Sequence, residues 1–311
     1  MTAGHGPAAT PAPVGVSVPA TSANLGPGFD ALAVAFDVHL SVWTTTLGDE
    51  RVLLEGCGAD ELPTGDDNLV WRSFAAYCDW VGSAAPDVSL RASSAIPLER
   101  GMGSSAAAAV AGVALARECL RGGGSDADLI HLVTTFEGHP DNAAAALLGG
   151  LVVCAGDRFV RLQPAESLRP VLCIPEARLA TTAARTLLPD TVPHADAAAN
   201  GARTAVVLAG LTGAAAWEPA AMTDVLHEPA RFTAMPESGR LVGALRTAGL
   251  GACLSGAGPS VLAVVAAGDE AAVALIRSTA GDGWAVTPAR WDRAGAVVRG
   301  PVVVGEVGRV G

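Results

Sequence analysis

A glycine- and serine-rich segment in the first half of the chain has the residue types of a phosphate-binding loop. It lies within residues 96–112, IPLERGMGSSAAAAVAG. Gly101 and Gly103 can take positive φ values and let a ligand approach the backbone closely. If Ser104 and Ser105 begin a helix, its first N–H groups have no partner inside the helix and carry partial positive charge. The segment predicts an anion site at a helix start, although an ordinary capped helix after a glycine loop explains it equally well.

Two other segments are rich in the same small and polar residues. Residues 19–37 read PATSANLGPGFDALAVAFD, and residues 254–265 read LSGAGPSVLAVV. Each by itself is typical of a tight turn, because Gly, Pro, Asn and Ser are turn residues. Three such segments in one chain favour the phosphate-binding interpretation of the first.

The basic residues limit the chemistry that the chain can perform. All twenty are arginines, and no lysine occurs. This excludes a Walker A loop, the strand lysine of protein kinases and lysine-linked pyridoxal phosphate. The formal net charge of -11 argues against nucleic acid and anionic membranes as partners. A phosphate site here must use backbone N–H groups, a helix dipole, serine hydroxyls, Mg²⁺ or arginine.

The first thirteen residues lack the basic and apolar regions of a signal peptide. The longest apolar run, near residues 106–116, is too short to span a bilayer. The six cysteines form no CxxC pair and match no zinc spacing, and most of them lie in apolar segments, which predicts that most are buried, reduced thiols. We therefore expect a cytoplasmic protein that contacts no membrane.

The hydrophobic periodicity predicts a two-domain α+β protein. Helices are predicted at residues 66–81 with an Asp at the start, 104–121, 122–138 with a Ser or Asp cap, 202–217 and 239–249. Strands are predicted at residues 14–20, 31–46, 51–57, 87–97, 151–156, 158–162 and 170–176, on both sides of the glycine loop in 252–266, and at an edge in 294–300.

Six motifs, in this order and at these separations, resemble those of the GHMP small-molecule kinases, and most closely the homoserine kinase branch. They are PATSANLGPGFDALAVAFD, PLERGMGSSAAAAVAG, EGHPDNAAAALLGG, ARTLLP, LHEPAR and SGAGPS, and the resemblance covers about residues 14–300. It implies a ribosomal S5-like N-terminal domain and a ferredoxin-like C-terminal α/β domain. The expected division is a disordered tail over 1–13, an ATP-binding domain over 14–165 and a C-terminal domain over 166–311.

The resemblance also implies an activity. It is the transfer of phosphate from ATP, assisted by Mg²⁺, to the hydroxyl of L-homoserine in threonine biosynthesis, and the resemblance leads us to expect a homodimer. The implied ATP-binding residues are Asn68 near the adenine and the loop Pro97, Leu98, Glu99, Arg100, Gly101, Met102, Gly103, Ser104, Ser105, Ala106 and Ala107. Ser105 and Glu137 are the implied Mg²⁺ ligands, because a hard cation prefers carboxylate, hydroxyl and phosphate oxygens.

The resemblance assigns further residues to the substrate. Arg185 and Arg231 match carboxylate-binding arginines, a task that suits the planar guanidinium. The other implied substrate-binding residues are Asn24, Asp30, His139, Asp141, Gly256 and Gly258. The implied catalytic residues are Asn24 and Asn142 near the acceptor hydroxyl, Thr181 near the transferring phosphate, and Asp141.

No dedicated strong base is expected, because the lysine that tunes an aspartate base in some GHMP kinases does not exist here. Positioning and charge neutralisation can carry most of a phosphoryl transfer. Asp30 and Asp141 are the fallback candidates for a base. Three alternatives stay open: a GHMP kinase for another small alcohol, a non-catalytic binding protein of this fold, and a dinucleotide-binding oxidoreductase. The last is ranked lowest, because the glycine loop lacks G-x-G-x-x-G spacing.

Overall fold

The computed structural model describes residues 13–179 and 184–300. The strands are β1 (Gly15–Asn24), β2 (Gly28–Thr46), β3 (Val52–Gly56), β4 (Val88–Ser94), β5 (Leu151–Ala155), β6 (Arg158–Leu162), β7 (Leu168–Pro175), β8 (Gly251–Leu254), β9 (Val261–Ala266), β10 (Trp284–Pro288) and β11 (Val297–Arg299). The α-helices are α1 (Leu69–Trp80), α2 (Ser104–Leu120), α3 (Asp126–Glu137), α4 (Asp141–Leu148), α5 (His194–Leu211), α6 (Glu228–Ala234), α7 (Pro236–Thr247) and α8 (Glu270–Ala280), with a 3₁₀ turn at Pro219–Met222.

A seven-stranded sheet is built around the long strand β2. Its main path is β11-β1-β2-β4-β3, and β5 and β6 extend it from the first half of β2. Only β3 and β4 pair in parallel; the other pairs in this sheet are antiparallel. β1 shifts register between Ala23 and Asn24, at the turn that begins β2. This turn lies within the glycine-rich segment 19–37 and places it at the end of the sheet.

Helices α1 to α4 form the layer on this sheet. α2 packs on β1, β2, α1 and α4. Its buried residues are mostly alanine, and a Cβ on Gly112 would come within 2.1 Å of Ser73 Oγ on α1. Small side chains therefore let α1 and α2 pack closely in the core, and α2 starts at Ser104 as predicted.

The second sheet is antiparallel with the order β10-β7-β9-β8. Along the chain these strands come in the order β7, β8, β9, β10. If they are numbered 1 to 4 in that order, they lie side by side in the sheet as 4-1-3-2. A helical connection precedes β8, and α8 connects β9 to β10. This is the ferredoxin-like arrangement. The α+β class with two sheets is confirmed.

Several elements differ from the sequence-based prediction. The cap of α1 is Asn68 rather than an aspartate, and α5 begins at His194 instead of residue 202. α4, α6, α8 and β10 were not predicted. β11 lies at an edge as predicted, but it pairs with β1 of the first sheet. The chain therefore returns to the first sheet after β10, and the second unit does not extend through β11 as the boundary 166–311 implied.

Two further observations concern the cysteines and the membrane. Four of the six free cysteines are buried, whereas Cys57 is exposed and Cys119 lies half-buried. The prediction that most of the cysteines are buried is therefore confirmed. Within the ranges that the structure describes, no helix has both the length and the apolar character needed to cross a bilayer.

Candidate active site

The loop before α2 has the backbone of an anion cradle. Gly101 and Gly103 have φ values of 70° and 66°, and Glu99 also has a positive φ, of 53°. Gly103 is the cap residue of α2, and no side chain caps this helix end. A Cβ on Gly103 would lie 2.0 Å from Thr21 Oγ1. The loop thus presents the uncapped N-terminus of a 17-residue helix, which suits a phosphate group.

The three glycine-rich segments meet at this helix end. The N–H of Thr21 on β1 donates to the Met102 carbonyl at 3.1 Å. The Ser255 hydroxyl donates to the Gly101 carbonyl at 2.6 Å. The N–H of Gly256 donates to the Ala23 carbonyl at 3.1 Å. Loops that lie more than 200 positions apart in sequence are therefore hydrogen-bonded to one another at this helix end.

A cavity of about 280 Å³ opens beside the start of α2. Its wall is largely apolar and includes Leu54, Leu62 and Leu98, while Ser104 and Ser105 lie at its edge. An apolar cleft next to a phosphate cradle suits a nucleotide base.

Asn68 also lines this cavity, but its side chain has other partners. Its Oδ1 accepts the N–H of Val70 at 2.9 Å, and its Nδ2 donates to the Pro63 carbonyl at 2.7 Å. The amide therefore caps α1 and fixes the cavity wall. Its adenine contact stays a prediction, and these two bonds leave the amide one N–H and one lone pair for it.

Ser105 and Glu137 form a pair at the other side of the helix start. The Ser105 hydroxyl donates to Glu137 Oε1 at 2.5 Å. Burial raises the pKa of Glu137, an effect that the Ser105 hydrogen bond and the nearby His139 oppose. A cation at this carboxylate would offset the burial cost. Among the described residues no group of three or more His, Cys, Asp or Glu side chains could hold a metal. The pair fits a Mg²⁺ ion whose other ligands are phosphate oxygens and water.

A second, smaller pocket lies next to the cradle and contains most of the predicted substrate-binding residues. Its lining consists of Ala23, Asn24, Asp30, His139, Asp141, Asn142, Arg185, Arg231, Gly256 and Ala257. It is a narrow cavity of about 20 Å³.

Two of the lining residues form an ion pair. Arg185 binds Asp30 with both terminal nitrogens, at 2.8 and 3.2 Å. Both side chains are about 40% exposed or less. The two groups predicted for the substrate's carboxylate and ammonium therefore neutralise each other across the pocket mouth.

The start of α4 supplies the polar floor of this pocket. Asp141 is buried, and its Oδ1 accepts the N–H of Asn142 at 2.6 Å. Asp141 also lies 3.6 Å from His139 Nδ1 and raises the pKa of His139. Thr21 donates to Asn142 Oδ1 at 2.8 Å, which ties the floor to the cradle. His139 Nδ1 is buried and has no hydrogen-bond partner in the described part of the chain apart from this longer contact with Asp141, so it is available to a ligand.

Asn24, in the glycine-rich segment 19–37, completes the lining of the pocket. It has a φ of 71°, and its Nδ2 donates to the Gly256 carbonyl at 2.9 Å. Its Oδ1 accepts the N–H of Asp30 at 3.0 Å. This amide therefore fixes the position of Asp30 relative to Gly256.

Comparison with known proteins places these features in a family. The model of the GHMP kinase N-terminal domain matches residues 68–150, and that of the GHMP kinase C-terminal domain matches residues 209–280. A homoserine kinase of Streptomyces avermitilis is 41% identical over 302 residues, covering 94% of this chain and 98% of the relative. The chain belongs to the GHMP kinase family.

Further relatives agree with this assignment. A homoserine kinase of Mycobacterium tuberculosis is 41% identical and covers 87% of this GHMP kinase and 89% of its own chain. The crystal structure of a homoserine kinase from Cytophaga hutchinsonii is similar, with a TM-score of 0.79, 26% identity and coverage of 95% and 99% of the two chains. A mevalonate kinase structure with 14% identity and a TM-score of 0.65 shares the fold, with coverage of 90% and 99%.

Other predicted residues of the loop in this GHMP kinase have partners within the protein, and their contacts with ATP stay predictions. The Met102 side chain is buried. Arg100 donates from two nitrogens to the carbonyls of Pro175 and Glu176, so it ties the loop to β7. The Ala107 N–H is already bound to the Gly103 carbonyl.

Two other predicted residues, Pro97 and Gly258, line neither of the two pockets. Pro97 lines a different cavity, between the loop and the second sheet. Gly258 is not part of the substrate-pocket lining; its N–H donates to the Ser255 carbonyl. Thr181 lies outside the described residues.

The sequence analysis missed one group of residues near Arg231. Phe29 lies under both arginines, with its ring centre 5.8 Å from the Arg185 guanidinium and 5.6 Å from that of Arg231. The His227 ring stacks on Phe29 at 5.2 Å. Phe29 lies in the motif PATSANLGPGFDALAVAFD and His227 in LHEPAR. Their presence in these motifs is the sequence signal that could have indicated them.

Proposed function

We propose that this protein transfers the γ-phosphoryl group of ATP to the hydroxyl of L-homoserine, which yields O-phospho-L-homoserine for threonine biosynthesis. One observation carries the proposal. A pocket with two arginines and three acidic or imidazole side chains lies directly beside an uncapped helix N-terminus. The names of the relatives with about 41% identity agree with it.

Each charged group of the substrate has an oppositely charged side chain in the pocket. L-homoserine carries a carboxylate, an ammonium group and the acceptor hydroxyl. The carboxylate binds Arg185 and Arg231, and the ammonium group binds Asp30. Because Asp30 and Arg185 are paired with each other in the ligand-free protein, a zwitterion can replace both partners without leaving a charge uncompensated.

ATP occupies the neighbouring cradle and cavity in this proposal. Its phosphates bind the first N–H groups of α2, and its base enters the apolar cavity next to Leu98. Ser105 and Glu137 would hold Mg²⁺. When bound, this ion neutralises phosphate charge, which every phosphoryl transfer requires.

The hydroxyl is oriented rather than strongly activated. Asn24 and Asn142 lie in the same pocket and present amide groups to it. Asp30 pairs with Arg185 in the ligand-free protein and with the ammonium group in the proposed complex, and Asp141 accepts the N–H of Asn142, so each carboxylate already has a partner. We propose that the proton leaves late, to a phosphate oxygen or through water. Thr181 is proposed to contact the transferring phosphate.

Turnover of carboxamide variants tests this assignment. Asp30→Asn and Asp141→Asn should keep a substantial fraction of turnover once substrate is saturating. A loss of roughly 10⁴-fold in one variant, with homoserine still bound, would make that residue a general base and reject the proposal for a late proton.

A substrate panel tests the function itself. The protein is assayed for ADP release with Mg²⁺-ATP and homoserine, mevalonate or galactose. Homoserine should be turned over most efficiently. If mevalonate or galactose gave the higher kcat/KM, the protein would be a different small-alcohol kinase. If calorimetry showed homoserine binding without ADP release, it would be a binding protein.

Its location and assembly are also proposals. All six cysteines are free thiols, which suits the reducing cytoplasm. We propose a homodimer in that compartment, and sedimentation of the full chain tests this.

A further inference from the structure

Arg231 is buried in an environment with few hydrogen-bond acceptors. Its relative exposure is 2%, and burial lowers its pKa. Its Nη1 lies 3.0 Å from Nδ1 of His227 and 3.2 Å from the carbonyl oxygen of Gly256. Its Nε has no partner among the described residues. The orientation of this guanidinium therefore depends on two acceptors.

The partners of His227 determine which ring nitrogen carries the proton. Nε2 lies 3.0 Å from the carbonyl oxygen of Gly26, which can only accept. Arg231 can only donate, so Nδ1 must be the unprotonated nitrogen. Burial lowers the pKa of His227 to about 4, which keeps the ring neutral at neutral pH. The geometry fixes one tautomer with its lone pair aimed at Arg231.

The backbone of His227 is also fixed. Asp224 Oδ2 accepts the N–H groups of Leu226, His227 and Glu228, at 3.0, 2.7 and 2.8 Å. The ring stacks on Phe29, which also lies under Arg231. These contacts hold the His227 ring from both sides, and within the described part of the chain Arg231 is the hydrogen-bond partner of its Nδ1.

We propose that His227 is a positioning residue that selects for the substrate carboxylate: its Nδ1 accepts a hydrogen bond from Arg231 and aims that guanidinium into the pocket. The inference rests on the proposed function, since it assigns the carboxylate to Arg231. Without this acceptor, Nη1 keeps only the Gly256 carbonyl, and the guanidinium can turn away from the ligand.

Two substitutions of His227 test the hydrogen bonds of its two ring nitrogens separately. In His227→Asn, the amide oxygen occupies nearly the position of Nδ1 and can accept from Arg231. In His227→Gln, the amide nitrogen reaches the position of Nε2 and can donate to Gly26. We expect His227→Gln to lower kcat/KM for homoserine about 10-fold to 100-fold, the usual range for a hydrogen bond to a charged group. His227→Asn should stay within about threefold of the unmodified protein on the same scale. The KM for ATP should be unchanged in both.

A substrate that lacks the carboxylate provides the matched control. 3-Amino-1-propanol keeps the hydroxyl and the ammonium group. If His227 acts through Arg231 on the carboxylate, the unmodified protein and His227→Gln should use this alcohol equally poorly. A merely structural role would reduce both activities by the same factor, and that result would overturn the proposal. Equal losses for homoserine in the Asn and Gln variants would overturn it as well.

The unmodified protein provides a test that needs no substitution. In a ¹⁵N NMR spectrum of histidine-labelled protein, the ring identified by its contact with Phe29 should be the neutral Nε2–H tautomer. An Nδ1–H tautomer would reject the proposal even if neither variant folds. If the unmodified protein does not phosphorylate homoserine, the proposed function fails, whereas the tautomer still decides the geometry between His227 and Arg231.

Discussion

The substitution Gly103→Ala tests whether the phosphate cradle depends on close contact between two of the glycine-rich segments. Gly103 has a φ of 66°, in the left-handed region. An added Cβ would lie 2.0 Å from Thr21 Oγ1, while ordinary contacts begin at 3.4 Å. Thr21 is fully buried and bound to Asn142, so it cannot move away easily. The loop itself must therefore shift by about 1.4 Å, the difference between these two distances.

Two effects of this substitution can be estimated separately. The left-handed conformation costs an alanine about 1–2 kcal/mol of folding free energy. A displacement of the phosphate cradle by about 1 Å can cost about 100-fold in rate. We expect Gly103→Ala to lower kcat/KM for ATP by about 100-fold or more and to destabilise the fold beyond the backbone cost.

Gly82→Ala is the matched control for this prediction. Gly82 has nearly the same φ, 69°, but no atom lies within 4 Å of its added Cβ. It follows α1 at the end opposite Asn68. The control should lose about 1–2 kcal/mol in urea denaturation and keep its kcat/KM. The reasoning is refuted if Gly103→Ala stays within threefold of the unmodified kcat/KM, or if the two variants lose activity equally.

Three other predictions follow from the charged groups. Because burial raises the pKa of Glu137, its carboxylate destabilises the ligand-free fold above that pKa. Glu137→Gln should therefore raise Tm at pH 8 but not below the ordinary pKa of 4.5, and it should lower Mg²⁺-ATP turnover; a lower Tm at pH 8 would contradict this. Arg246→Met removes the cation 2.6 Å from the fully buried Glu228, whose pKa is raised to about 7 by burial. The loss in urea denaturation should be about 3–5 kcal/mol at pH 8 and smaller at pH 6, where Glu228 can take up a proton; equal losses would be inconsistent with a buried charge. Arg185→Lys cannot bind a carboxylate with two nitrogens, so kcat/KM for homoserine should fall about tenfold with the KM for ATP unchanged, and an unaltered value would remove Arg185 from the substrate site.

Much of the fold could be predicted from the sequence because its signals are local. Glycines 101 and 103 and the alanines after them predict a loop and a closely packed helix from residue types alone, and α2 begins at the expected residue. α4 was missed because Asp141–Leu148 has too few residues to show a helical period. The course of β11 was missed for another reason, since no local pattern tells which sheet an edge strand joins.

The candidate site was predicted unevenly. The six motifs and their resemblance to GHMP kinases indicated most of the residues that line the substrate pocket. The same resemblance included Met102, Arg100 and Gly258, whose ligand contacts stay predictions, because a motif does not distinguish residues that face a ligand from residues that hold the loop. It also could not show that the Asn68 amide already has two hydrogen-bond partners.

By itself, the sequence determined the types of groups available: no lysine, three glycine-rich turns, and arginines for anionic ligands. Only the tertiary structure decided how they act. Asp30 meets Arg185 across 155 residues, and His227 meets Gly26 across 201. The burial that keeps His227 neutral exists only after the two sheets and their loops have packed together. Burial and long-range contacts set charge, tautomer and orientation, and neither is encoded in the spacing of residues along the chain.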